Sequence, residues 1–223
     1  MSQYHHLIFD GTFIHRPLSL VAIMDANSYR IISGGYDVRE SSERQLTLFF
    51  QSLKNQGLQP NSFTVDGNPQ VIRAIRMIWP EIIIQRCLVH IQRQGLSWCR
   101  SSPKTVSARK LRILFLQVSH IETSRQRDQF SENFTQWEQK YGQDIQRKPG
   151  KGYVFSDIKR ARSMLLKALP SMFYYLEDSR ITSNTNGLEG YFSRLKGHYR
   201  QHRGLTKSKL ENYFEWYLFL NPK

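Results

Sequence analysis

Acidic residues are scarce in this chain. Against 32 Lys and Arg there are 18 Asp and Glu, a formal charge of +14 over 223 residues. The shortage excludes a charge-balanced surface and points to a polyanionic partner, either nucleic acid or an anionic membrane. Cysteine is scarcer still. Cys87 and Cys99 are too few and too close for a disulfide framework, so a reducing compartment is expected. No apolar run approaches the roughly 20 residues that span a bilayer. The opening Met-Ser-Gln-Tyr-His-His lacks the charged and apolar regions of a secretory leader. The expected protein is cytoplasmic and nucleoid-associated, with no membrane partner.

The positive charge is unevenly spread. Between Gln92 and Lys209 there are 23 Lys and Arg against 9 Asp and Glu, which leaves 9 of each sign elsewhere. One part of the chain is neutral and the other carries the whole excess. The cations stand singly among aromatic and aliphatic residues, as on a folded binding surface rather than a basic tail. A content of 39% hydrophobic and 13% aromatic residues fits a packed core.

Alternating strands and helices are expected over the first 90 residues. Segments 6–14 and 18–24 are apolar enough for strands covered on both faces. A polar turn, Asp25-Ala26-Asn27-Ser28, leads to a third strand over 29–33, giving an antiparallel meander. Ser42 suits a helix cap; Leu46, Phe49, Phe50 and Leu53 follow at helical spacing, and Gly57 ends the helix. A strand over 62–66, a helix opened by Asn68-Pro69 and a strand over 81–85 come next. The order βββαβαβ, then helix, is that of the ribonuclease-H-like α/β fold with a mixed sheet. From 91 to 176 the pattern turns helical and basic, with helices expected over 108–120, 125–141 and 157–169 and a loop at 149–152. Final helices are expected over 186–199 and 207–219. The expected organisation is a core over 1–90, a helical basic insertion over 91–180, and C-terminal core helices over 181–223.

Three acidic residues stand out. Asp10 lies inside an apolar strand, Leu7-Ile8-Phe9-Asp10-Gly11-Thr12, where a carboxylate needs a partner such as a cation. Asp66 ends the fourth strand, beside the first in this fold, so the two aspartates should approach each other; a divalent cation resolves their repulsion. Glu189 would open the helix over 186–199, sharing one face with Ser193, Lys196 and Arg200 while Leu188, Phe192, Leu195 and Tyr199 pack on the sheet. Lys196 and Arg200 follow roughly 10 and 16 Å along that helix, placed to meet phosphates. Other uses remain open: Asp66 as the turn residue of Asp-Gly-Asn-Pro, Glu189 as a helix cap, and Asp10 as a satisfied buried carboxylate.

The runs Asp10-Gly11-Thr12, Val65-Asp66-Gly67, Cys87-Leu88-Val89-His90, Thr185-Asn186-Gly187-Leu188-Glu189-Gly190 and His202-Arg203-Gly204-Leu205, in that order and spacing, resemble the bacterial insertion-sequence transposases of the Mutator-like superfamily. The resemblance runs from about Leu7 to about Leu205. It implies a catalytic Asp-Asp-Glu triad of Asp10, Asp66 and Glu189, with an all-helical insertion in the 123-residue step before Glu189. The implied chemistry is two-metal phosphoryl transfer with Mg2+, for which Mn2+ is an expected substitute, the two ions roughly 3.5–4 Å apart. The implied partner is double-stranded DNA, both element ends and target, bound by a homodimer. Such transposases carry an end-recognition region ahead of the catalytic residues. With Asp10 ten residues from the start, the expectation is that the chain is a fragment, that the gene is truncated, or that a second polypeptide supplies recognition.

Cys87-x-x-His90 suggests zinc, but no further Cys or His has matching spacing. The resemblance implies instead that the pair packs behind the metal site, with His90 near the scissile phosphate. Trp137 reads as a core tryptophan; the resemblance offers it a second role, stacking on an unpaired base, worth about 1–3 kcal/mol. Arg194, Lys196, Arg200, Arg203, Lys207 and Lys209 suit phosphate neutralisation, or simply a solvated face. Rival functions are a non-catalytic DNA-binding derivative of such an enzyme and a stand-alone ribonuclease-H-like nuclease.

Overall fold

The computed structural model of the chain describes residues 3–16, 18–147, 153–202 and 204–222. It divides into two compact units, one of residues 1–85 with 179–223 and one of residues 86–178.

The first unit is a mixed sheet with helices on both faces, a ribonuclease-H-like α/β fold. Its strands are β1 (His6–His15), β2 (Leu18–Asp25), β3 (Ile31–Tyr36), β4 (Ser62–Val65) and β5 (Ile83–Arg86), in the spatial order β3-β2-β1-β4-β5. Arg86, the last residue of β5, already falls in the second unit. β1 pairs antiparallel with β2 and parallel with β4. The two central strands are apolar on both faces, as two-sided burial requires. Leu7, Phe9, Val21 and Ile23 point to one layer, packed against Leu46, Phe50 and Leu53 of α1 (Glu43–Asn55) and Val71, Ala74 and Ile75 of α2 (Pro69–Ile78). Ile8, Leu20, Ala22 and Met24 point to the other, against Leu188, Tyr191, Phe192 and Leu195 of α8 (Asn186–Tyr199) and Phe214 of α9 (Lys207–Leu220). Each fully buried Leu, Ile or Phe contributes roughly 1.5–3 kcal/mol.

The helix starts follow local chemistry. Ser42 accepts the Gln45 N–H to cap α1, and Gly57 takes φ 86° beyond its end. Asn68 accepts the Gln70 N–H to cap α2, with Pro69 as first residue. Two expected strands shift. Asp25 Oδ2 accepts both the N–H and the hydroxyl of Ser28, at 2.8 and 2.6 Å, and Tyr29 takes φ 54°. The turn therefore continues past Tyr29, and β3 starts at Ile31 rather than 29. Similarly, the Ile82 N–H turns back to the Trp79 carbonyl, so β5 starts at Ile83 rather than 81.

The second unit has no strand among its described residues beyond Arg86. It comprises α3 (Leu88–Cys99), α4 (Val106–Gln117), α5 (Ser124–Trp137), α6 (Gln143–Arg147) and α7 (Tyr153–Ala168), plus 3-10 turns. The expected loop at 149–152 lies outside the described residues. A π-turn, Glu138–Gly142, joins α5 to α6. Leu111, Phe115, Phe130, Phe134 and Leu165 are central to the core. Gly95 lets α3 approach α4 closely: a Cβ there would sit 2.2–2.5 Å from the buried ring of Phe115. Gly95→Ala is expected to destabilise this unit by about 1–3 kcal/mol, read as a lowered thermal midpoint. An unchanged midpoint would contradict the close crossing.

Candidate metal centre

The strand pleat decides which way Asp10 points. Leu7 and Phe9 belong to the α1–α2 layer and Ile8 to the α8–α9 layer. With a side-chain period of two, Asp10 and Thr12 share the face of Ile8. Asp10 is 8% exposed, and its Oδ1 accepts the Gly11 N–H at 2.9 Å.

In the parallel β1–β4 pairing, Ile8 stands opposite Thr64. Asp66 stands one position beyond β4, which ends at Val65. Asp66 Oδ1 accepts the Asn68 N–H at 2.8 Å, so one oxygen is occupied in the turn. Gly67 takes φ 102°, a left-handed conformation that favours glycine.

Two hydrogen bonds tie the Glu189 segment to the sheet. The Thr64 hydroxyl donates to the Thr182 carbonyl at 2.8 Å, just ahead of α8, and Lys196 Nζ donates to the Thr12 hydroxyl at 2.5 Å. Between these ties, a carboxylate oxygen of Glu189 lies within 4.8 Å of one of Asp10. Asp66 is not part of that closest grouping. The cap residue of α8 is Thr185, whose side chain makes no capping hydrogen bond, and Glu189 is the fourth residue of the helix. Its place in the first turn favours a carboxylate through the helix dipole.

A short carboxylate–carboxylate approach beside an apolar layer is costly unless a proton or cation lies between the groups. Asp10 and Glu189 offer carboxylate oxygens, hard donors of the kind that divalent cations take.

The other residues expected at a site divide. Burial first, and the charge of Arg200 second, push the Lys196 ammonium below its usual range. Arg194 is exposed, its guanidinium 5.9 Å from the Tyr191 ring centroid; Arg200 follows α8, also exposed. Arg203 and the side chain of Lys207 lie outside the described residues. Trp137 takes the core position. It is 4% exposed, lies flat against Phe134 and donates its indole N–H to the Ser107 carbonyl at 2.9 Å. This is the core position that its sequence setting suggests. In the helical unit Cys87 Sγ and His90 Nδ1 are 3.2 Å apart at the start of α3. Among the described residues, no group of three or more metal-ligating side chains includes either cysteine. Burial raises the Cys99 thiol to about 11, with Arg112 opposing, so it is protonated at neutral pH.

Sequence reasoning missed Glu40 and gave Asn68 only a capping role. Asn68 Nδ2 donates to the Glu40 carbonyl at 3.2 Å, and a Cβ on Gly11 would fall 2.5 Å from the Glu40 carboxyl carbon. No spacing rule signals Glu40, which precedes α1 in an irregular segment.

No helix among the described residues is long and apolar enough to cross a membrane. The model of the family described as Transposase, Mutator family matches residues 13–150. The match takes in Asp66, Cys87, His90 and Trp137, whereas Asp10 precedes it and Glu189 follows it. No curated protein matches the chain. A match over more than half of the 223 residues, on a ribonuclease-H-like sheet with a helical unit between β5 and α8, is decisive: the chain belongs to the Mutator family of transposases.

Proposed function

We propose that this transposase chain cuts DNA strands and joins them to a target, using Asp10, Asp66 and Glu189 as ligands for two Mg2+ ions. The observation that carries the reading is the approach of Glu189 to Asp10 within 4.8 Å, from near opposite ends of the chain. When bound, the ions supply activation of the attacking water or 3′-hydroxyl and stabilisation of the departing oxygen. Asp10 is fixed by its buried strand, and Asp66 stands in the turn after β4. Glu189 arrives on a helix held by the Thr64–Thr182 and Lys196–Thr12 hydrogen bonds. Lys196 on α8 and Arg200 just beyond its end meet phosphates flanking the scissile bond. Cys87 and His90 are carried as supporting residues on the strength of the resemblance, and two copies are expected to hold two DNA ends.

Charge segregation supports DNA as the partner. From Ile82 to Ile121 there are 7 Lys and Arg and no Asp or Glu. On α4, Arg109 and Lys110 are exposed beside Ile113 and Leu116. Arg109→Glu with Lys110→Glu should weaken DNA binding and flatten the slope of log affinity against log salt by roughly two. A titration in which slope and affinity both stay at wild-type values would remove α4 from the DNA surface.

The deciding assay is nicking of supercoiled plasmid by pure protein with Mg2+ and with EDTA. Metal-dependent nicking supports the proposal, and its absence leaves the non-catalytic derivative. Products separate the nuclease rival: hydrolysed ends alone, against strands joined to a target.

A further inference from the structure

Asp66 differs from its two partners in how it is held. Asp10 is fixed inside a paired strand and Glu189 on a helix, but Asp66 stands one residue beyond β4, before Gly67 at φ 102°. Nothing in the strand ladder itself fixes that position.

Three hydrogen bonds converge on Asn68, two residues on. Its N–H donates to Asp66 Oδ1 at 2.8 Å, its Oδ1 accepts the Gln70 N–H at 2.9 Å, and its Nδ2 donates to the Glu40 carbonyl at 3.2 Å. Glu40 is in turn seated on β1: its carboxylate fills the space that a side chain on Gly11, next to Asp10, would need. A chain of contacts therefore runs from Gly11 through Glu40 and Asn68 to Asp66, joining the backbone after one aspartate to the carboxylate of the other.

We propose that Asn68 is a positioning residue that, braced through Glu40, orients the Asp66 carboxylate for cation binding. The proposal rests on the reading of Asp66 as a metal ligand. A helix cap alone needs only an acceptor, which Ser or Asp would supply equally well. The brace needs an acceptor and a donor on one side chain, reaching opposite ways, and asparagine has both. Outer residues that orient ligands typically change metal affinity by about 10–100-fold when lost.

Asn68→Ser separates the two roles, since serine keeps the cap and drops the Nδ2 donor. Mn2+ binding to the DNA-free protein is measured by the loss of the free-ion electron paramagnetic resonance signal, alongside thermal melting and amide exchange. The expected result is Mn2+ affinity weaker by about ten-fold, a melting point within about 2 °C of wild type, and faster exchange at amide 68 with amide 70 still protected. Affinity within two-fold of wild type, or unchanged protection at amide 68, overturns the brace. Asp66→Ala is run beside it. If that variant binds Mn2+ like wild type, the metal-ligand reading itself falls; if it loses Mn2+ while Asn68→Ser does not, only the role of Asn68 falls.

Discussion

Replacing Glu189 by Gln is expected to reduce DNA strand cleavage by about 10³-fold or more, with DNA affinity nearly unchanged. The amide has the size of the carboxylate and keeps the helix, so the loss comes from removing one anionic ligand. Asp10→Asn and Asp66→Asn should behave alike. A second readout separates a metal site from a structural carboxylate. In EDTA the wild-type protein holds the carboxyl groups of Asp10 and Glu189 within 4.8 Å of each other, and Glu189→Gln keeps the size of the side chain at that approach. The variant should therefore melt no lower than wild type without metal, and possess a smaller rise in melting point on adding Mg2+. Were Glu189 a structural group instead, the variant would melt lower in EDTA and keep its cleavage rate.

Arg162→Ala is expected to cost the helical unit about 2–4 kcal/mol. Arg162 makes a two-pronged pair with Glu138, with Nε 2.8 Å from Oε2, and their side chains are 14% and 26% exposed. Removing the guanidinium leaves a half-buried carboxylate alone, which costs more than the pair is worth. The π-turn presents that carboxylate, and Gly142 makes room for it: a Cβ there would lie 2.3–2.6 Å from the Glu138 carboxyl atoms. Replacing both partners, by Glu138→Leu with Arg162→Met, should be milder than Arg162→Ala. A double variant less stable than the single one would show that the pair contributes net stability rather than occupying a site an apolar pair would fill.

How far the sequence could be read depended on the range of the forces involved. The sheet was legible because Leu7–Phe9 and Leu20–Met24 are short runs apolar on consecutive residues, the pattern of strands covered on both faces. The helix caps at Ser42 and Asn68 were legible because capping is decided within three residues. Strand ends were less so. Whether β3 begins at 29 or 31 turns on Ser28 folding back onto Asp25, a side-chain choice that hydrophobic period does not encode. Asp10 was legible as a lone charge in an apolar strand, and Glu189 through the motif around it rather than through its helix. Trp137 was legible as a core tryptophan, and the packing of α4 and α5 buries its ring. Glu40 was invisible because its part depends on a glycine 29 positions earlier in the chain and on an asparagine 28 positions later.

The most direct test of the metal centre is an anomalous difference map from crystals of the protein with Mn2+. Asp10, Asp66 and Glu189 sharing manganese peaks at carboxylate-oxygen distances is the predicted result. Ordered carboxylates with no manganese between them, or manganese held elsewhere while Glu189 stays off the ion, would contradict the account.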